Sequence, residues 1–193
     1  MGKIWTPNQK IAKFSYQCKN WASLLAAAKV QLGADLGSML GALTMVGELR
    51  GELIRGDGSS LDLGVLGKKS VTDEGVAHMA DDWFDGSGNI NNFNFHDSGI
   101  GVAAENVADG DLGTPAGPTT RATGTLSNPT APQVRSIGTI AYTGTLAITE
   151  HGLFTTAARA THILWDRTVF GAINVENLDS IQFTYTLTIN TGG

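Results

Sequence analysis

The tightest cluster of reactive side chains is His96-Asp97-Ser98, which holds the three residue types of a nucleophilic triad. Adjacent residues of an extended chain point to opposite faces, and working triads are assembled from separated positions. The sequence has no Gly-x-Ser-x-Gly elbow, so the cluster reads as a strand end closed by an Asp side-chain turn. Glu150-His151 could pair an acid with a base but meets the same facing problem. His78 and Asp82 stand at i and i+4, a spacing that suits a helical hydrogen bond, and a metal pair only with further ligands nearby. Asp109-Gly110-Asp111 begins like a calcium loop, yet Gly113 falls where such a loop needs another oxygen, which leaves a turn. Gly99-Ile100-Gly101 lacks both the third glycine of a dinucleotide fingerprint and its strand-to-helix context. No catalytic, metal or cofactor site is expected, and the chain reads as a non-enzyme.

The N-terminus offers a different chemistry. Lys3, Lys10, Lys13, Lys19 and Lys29 all precede the first acidic residue, Asp35, and the remaining chain carries eight basic against eighteen acidic residues. Aromatic residues are interleaved with these lysines. The candidate protein-interaction residues are Trp5, Lys10, Lys13, Phe14, Tyr16, Lys19 and Trp21, which suit a segment that docks on a neighbouring subunit. The first 34 residues contain no arginine, so nucleic acid is not the expected partner. Nor is a membrane expected. The start lacks an apolar run, and the stretch from Trp21 to Val46 is broken by Lys29, Gln31, Asp35 and by Gly33, Gly37 and Gly41.

The elements that must carry these residues are mainly β. The sequence has 25 glycines, 21 threonines and 16% charged residues among 193, a turn-rich composition unlike that of a typical α/β enzyme. Cys18 stands alone, which excludes a disulfide scaffold and a multi-thiolate zinc site. Apolar spacing predicts a helix over Asn20–Leu32, and a second, short one capped by Thr72 or Asp73 with Val76, Met79, Ala80 and Trp83 as its stripe. Residues 48–54 and 61–66 flank Gly56-Asp57-Gly58 as a hairpin. Strands are predicted from Ile90 to Phe95, Val134 to Tyr142, Leu146 to Phe154 and His162 to Phe170, and a short one near 121–126. The clearest has Ile181, Phe183, Tyr185, Leu187 and Ile189 alternating with polar residues. The expected architecture is an antiparallel β-sandwich or barrel (47–193) with one short helix, preceded by a basic, partly helical region (1–46).

Several ordered stretches carry a resemblance. They include Leu63-Gly64-Val65-Leu66-Gly67-Lys68-Lys69, Phe95-His96-Asp97-Ser98-Gly99, Arg121-Ala122-Thr123-Gly124-Thr125, Leu146-Ala147-Ile148-Thr149-Glu150-His151-Gly152 and Trp165-Asp166-Arg167-Thr168-Val169-Phe170-Gly171. Asp179-Ser180-Ile181-Gln182-Phe183-Thr184-Tyr185 completes them. With these, residues from about 48 to the C-terminus resemble a family of tailed-bacteriophage virion structural proteins, of the β-rich capsid-decoration or tail-appendage type. The resemblance implies a virion location and transfers no catalytic residue. Within it, Asp166-Arg167 reads as an ion pair at a strand bend, and Glu150-His151-Gly152 as a strand end or bulge.

The expectation is therefore a non-enzymatic decoration protein that binds the head shell as a homo-oligomer, a trimer or hexamer, with the major capsid protein or other virion proteins as partners. The alternative is a tail or fibre component binding host-surface glycans through loop aromatics such as Trp83 or Trp165. A cell-wall hydrolase would need paired carboxylates or zinc in a cleft, and the sequence offers neither.

Overall fold

The computed structural model describes residues 44–69, 71–85 and 90–190. The Asn20–Leu32 helix, the glycines at 33, 37 and 41, and all seven candidate interaction residues lie outside them. The described residues are mainly β, with two antiparallel sheets and one α-helix. The strands are β1 (Thr44–Ile54), β2 (Ser60–Lys69), β3 (Phe95–Gly99), β4 (Ala122–Thr123) and β5 (Thr125–Ser127), followed by β6 (Gln133–Ala141), β7 (Leu146–Phe154), β8 (Leu164–Val175) and β9 (Ser180–Asn190). One sheet runs β2-β1-β9-β6-β5 and the other β4-β3-β7-β8. The helix, α1 (Asp73–Asp85), joins β2 to β3.

The two sheets pack face to face because each turns one apolar row inward. Leu49, Leu53, Ile140, Ile181, Phe183 and Tyr185 from the first meet Ile148, Leu153, Trp165 and Val175 from the second. β9 shows the expected period of two, with Ile181, Phe183, Tyr185 and Leu187 buried and a threonine row on the other side. β7 does not alternate: Ile148 to Phe154 are all buried. The irregular segment from 100 to 121 covers its outer face, where Leu112, Phe154 and Leu164 form a second small apolar cluster with Phe95.

Two expectations need correction here. The segment from Ile90 to Phe95 is not one strand: Ile90–Asn92 is a 3-10 turn, and β3 starts at Phe95. The turn rotates Phe93 into the core, 4.5 Å from the Trp165 ring centroid. The stripe expected on α1 also divides. Thr72 does cap the helix, its Oγ1 accepting the Gly75 N–H at 3.1 Å, but the helix seats on Trp165 through Gly75. A Cβ there would stand 2.9 Å from Trp165 Cε3. This turns Met79 toward the core and leaves Trp83 86% exposed and Phe84 89% exposed. No helix among the described residues is long and apolar enough to cross a membrane.

Gly138 sets the spacing between the sheets. A Cβ on it would lie 2.7 Å from His96 Cγ, and that ring is fully buried and cannot swing away. Gly138→Ala should destabilise the protein by about 1–3 kcal/mol through overpacking. Thermal denaturation checks this, and an unchanged melting temperature would refute it.

Candidate functional site

His96, Asp97, Glu150 and His151, all singled out in the sequence, lie on two paired strands and on the two faces of one sheet. His96, Asp97 and Ser98 are successive residues inside β3, so they alternate across it rather than closing its end. His96 points between the sheets. Its Nε2 lies 2.8 Å from Ser136 Oγ of β6, and its Nδ1 lies 2.9 Å from His151 Nε2 of β7. Ser98, on the same face, shares a 2.9 Å hydrogen bond with the Tyr142 hydroxyl. Burial drives His96 down to about 3, and burial together with repulsion from His96 pushes His151 well below its ordinary value. Both rings are therefore neutral at pH 7. This Ser-His-His row has the contacts of a proton relay. All three side chains are buried.

The opposite face holds two carboxylate clamps. Glu150 lies under the covering segment and accepts backbone N–H bonds from Gly101, Gly113 and Thr114 at 2.9, 3.0 and 2.8 Å. Arg167 donates to Glu150 through Nε at 2.8 Å and to Asp109 through Nη1 at 2.9 Å. Burial alone would raise the Glu150 carboxyl. The Thr114 amide, Arg167 and the amides of Gly113 and Gly101 more than reverse this, and hold it below the ordinary value. Gly99 and Gly101 belong to the clamp rather than to a nucleotide loop, because a Cβ on either would stand within 3 Å of the Glu150 side chain.

In the second clamp Asp97 faces Arg159, with Nη2 to Oδ1 at 2.8 Å, and Arg121, with Nε to Oδ2 at 3.3 Å. Arg159 also donates to the Gly117 and Pro118 carbonyls. Arg121 stacks 3.6 Å over the Phe154 ring and donates to the Ala158 carbonyl at 2.7 Å. Together the clamps fasten the 100–121 and 155–163 segments to the sheet. They consume the charges that the sequence offered as chemistry.

The remaining expectations sort as follows. Asp166 and Arg167 do not pair: they are neighbours on a strand and face opposite ways. Asp166 accepts from Thr168 Oγ1 at 2.9 Å and lies 3.4 Å from the Tyr185 hydroxyl, which in turn accepts the Trp165 indole N–H at 3.0 Å. Burial raises Asp166 to about 6. Glu150-His151-Gly152 does not end β7, although the pairing with β8 shifts register between Ile148 and Glu150. His78 does not bond Asp82. It stacks edge-on against Phe93, while Asp82 accepts the Ile90 N–H. Asp109 and Asp111 face Arg167 and Arg121. Trp165 is 2% exposed, out of reach of a surface glycan. Among the described residues no three His, Cys, Asp or Glu side chains gather as metal ligands.

Sequence reasoning missed Ser136, Arg121 and Arg159. A serine in the inward row of β6, and arginines beside the covering segments, were the available signals.

Fold and site define an antiparallel β-sandwich with buried charged clamps that fasten long loops over the outer face of one sheet. Compared with known proteins, the chain matches no family model, no curated protein and no solved structure.

Proposed function

We propose that the chain is a non-enzymatic virion structural protein of the tailed-phage type, a decoration protein that binds the head shell as a homo-oligomer. The observation that carries this reading is the outer face of α1. Trp83 and Phe84 are almost fully exposed side by side, and Val76 lies 41% exposed two turns earlier. An aromatic pair of this size is the usual anchor of a protein interface. The clamps support the same reading, since they give a body whose loops are tied down rather than free to close over a substrate. The lysine-rich first 34 residues supply the second grip, on the shell or on a neighbouring copy.

Purified protein mixed with undecorated capsids should co-pellet and give ordered density over the capsid lattice by cryo-electron microscopy, with tail tips as the control. Density on tails alone would favour the glycan-binding alternative, for which Trp83 is exposed and Trp165 buried. Trp83→Ser with Phe84→Ser should abolish co-pelleting while stability stays within about 1 kcal/mol, as for surface substitutions. Deleting residues 1–34 should also release the protein from particles and leave the sandwich folded. Retained particle binding in both variants would overturn the proposal.

A further inference from the structure

The inner histidine row ends at a cavity. Between the sheets, below the 3-10 turn, lies a space of about 230 Å³ walled by Phe93, Val134, Leu153, Trp165 and Leu187, with Ser136 on its lining. The space opens to solvent past the half-exposed Ile90 and Val134, and an apolar cavity smaller than this can hold a benzene ring.

The hydrogen count along the row gives the cavity a chemical preference. Each neutral imidazole carries one N–H, and His151 Nδ1 has no partner. If Ser136 donates to His96, then His96 Nδ1–H must donate to His151 Nε2, which leaves the His151 Nδ1–H as a buried donor facing nothing. Orphaned buried N–H groups are rare. The reverse order avoids this: His151 Nε2–H donates to His96 Nδ1, and His96 Nε2–H donates to Ser136 Oγ. Only a lone pair on His151 Nδ1 is then unused. The Ser136 hydroxyl hydrogen is released, and among the described residues Ser136 Oγ has no partner but His96. The cavity that Ser136 lines is where an added molecule could offer that hydrogen an acceptor. Tyr185 also lines it, and its hydroxyl is already engaged with Trp165 and Asp166.

We propose that this cavity binds a small, largely apolar molecule bearing one acceptor oxygen, which takes the hydrogen bond of Ser136 while its hydrocarbon part lies against Trp165 and Phe93. This is independent of the virion reading. The test is an NMR titration of the ¹⁵N-labelled full chain with acetophenone, and with ethylbenzene as the analogue without an acceptor, following the Trp165 indole N–H. Both should give saturable shifts, with acetophenone roughly five-fold tighter, the worth of one hydrogen bond. Ser136→Ala should remove that preference while keeping ethylbenzene binding. Val134→Trp, at the half-exposed mouth, should abolish both. Long-range ¹H–¹⁵N spectra of the unmodified protein should find His96 and His151 both protonated at Nε2, a readout that does not depend on a variant folding. No saturable shift, equal affinities for the two probes, or His151 protonated at Nδ1 would overturn the proposal.

Discussion

Glu150→Gln should cost about 3–5 kcal/mol of stability, the usual consequence of removing one partner from a buried ion pair. At roughly 2–4 °C per kcal/mol for a chain of this size, the melting temperature should fall by about 6–20 °C. The carboxylate serves three backbone amides and Arg167 at once. A carboxamide has one acceptor oxygen to offer them and brings an NH₂ group that must face other donors. Arg167→Met should cost less, because it leaves Glu150 with its three amides. Hydrogen exchange gives the local readout: the Gly101, Gly113 and Thr114 amides should exchange faster in Glu150→Gln well below the melting temperature. A loss under 1 kcal/mol, with those amides still protected, would show that the covering segment is held by Leu112 and its apolar neighbours instead.

Acid should unfold the protein through the inner row, and the sign follows from the direction of each shift. His96 and His151 are neutral when folded and become protonated when unfolded once the pH drops below about 6.5. The unfolded state then binds two more protons, and stability falls by roughly 1.4 kcal/mol per pH unit for each. Asp166 acts the other way. Its folded value of about 6 lies above the ordinary 3.8, so between those limits the folded state holds the extra proton and acidification stabilises it. Asp97, raised by burial against the pull of Arg159 and Arg121, has the same sign over its own interval. Glu150, lowered, adds stability that is lost only below about 4.5.

Differences between variants isolate each group. From pH 6 to pH 4, Asp166→Asn should lose stability more steeply than the wild type by roughly 1.4 kcal/mol per pH unit, since it lacks the opposing proton. His151→Gln should be flatter than the wild type by a similar amount. Urea denaturation at several fixed pH values gives both slopes. Parallel curves for all three proteins would sink the assignment of buried neutral histidines and a buried, proton-binding Asp166.

Much of the fold was legible because half-buried strands write their own period. β9 and the first hairpin depend on local alternation and on turn residues such as Gly58, whose positive φ of 86° glycine adopts without strain. The Thr72 cap is local too. The reading that His96 and Asp97 must face opposite ways was a consequence of strand geometry alone.

It failed where a second surface intervened. A sheet buried on both faces loses its alternation, so β7 could not reveal that Glu150 lies under a loop and His151 against another sheet. Ion-pair partners were equally hidden, since Arg159 reaches Asp97 across 62 residues of chain and Arg167 reaches Glu150 across 17. The apolar stripe of α1 was visible as a set of residues, but Gly75 decided which part of it met Trp165. The amino-acid sequence by itself determined the elements, their turns and the opposition of neighbouring side chains, because these are set within a few residues by backbone geometry. Only the tertiary structure decided that the conspicuous His, Glu, Asp and Arg side chains hold loops in place, that Trp165 is sealed while Trp83 is bare, and that Ser136 borders a cavity. Those outcomes depend on which surfaces come to lie against one another.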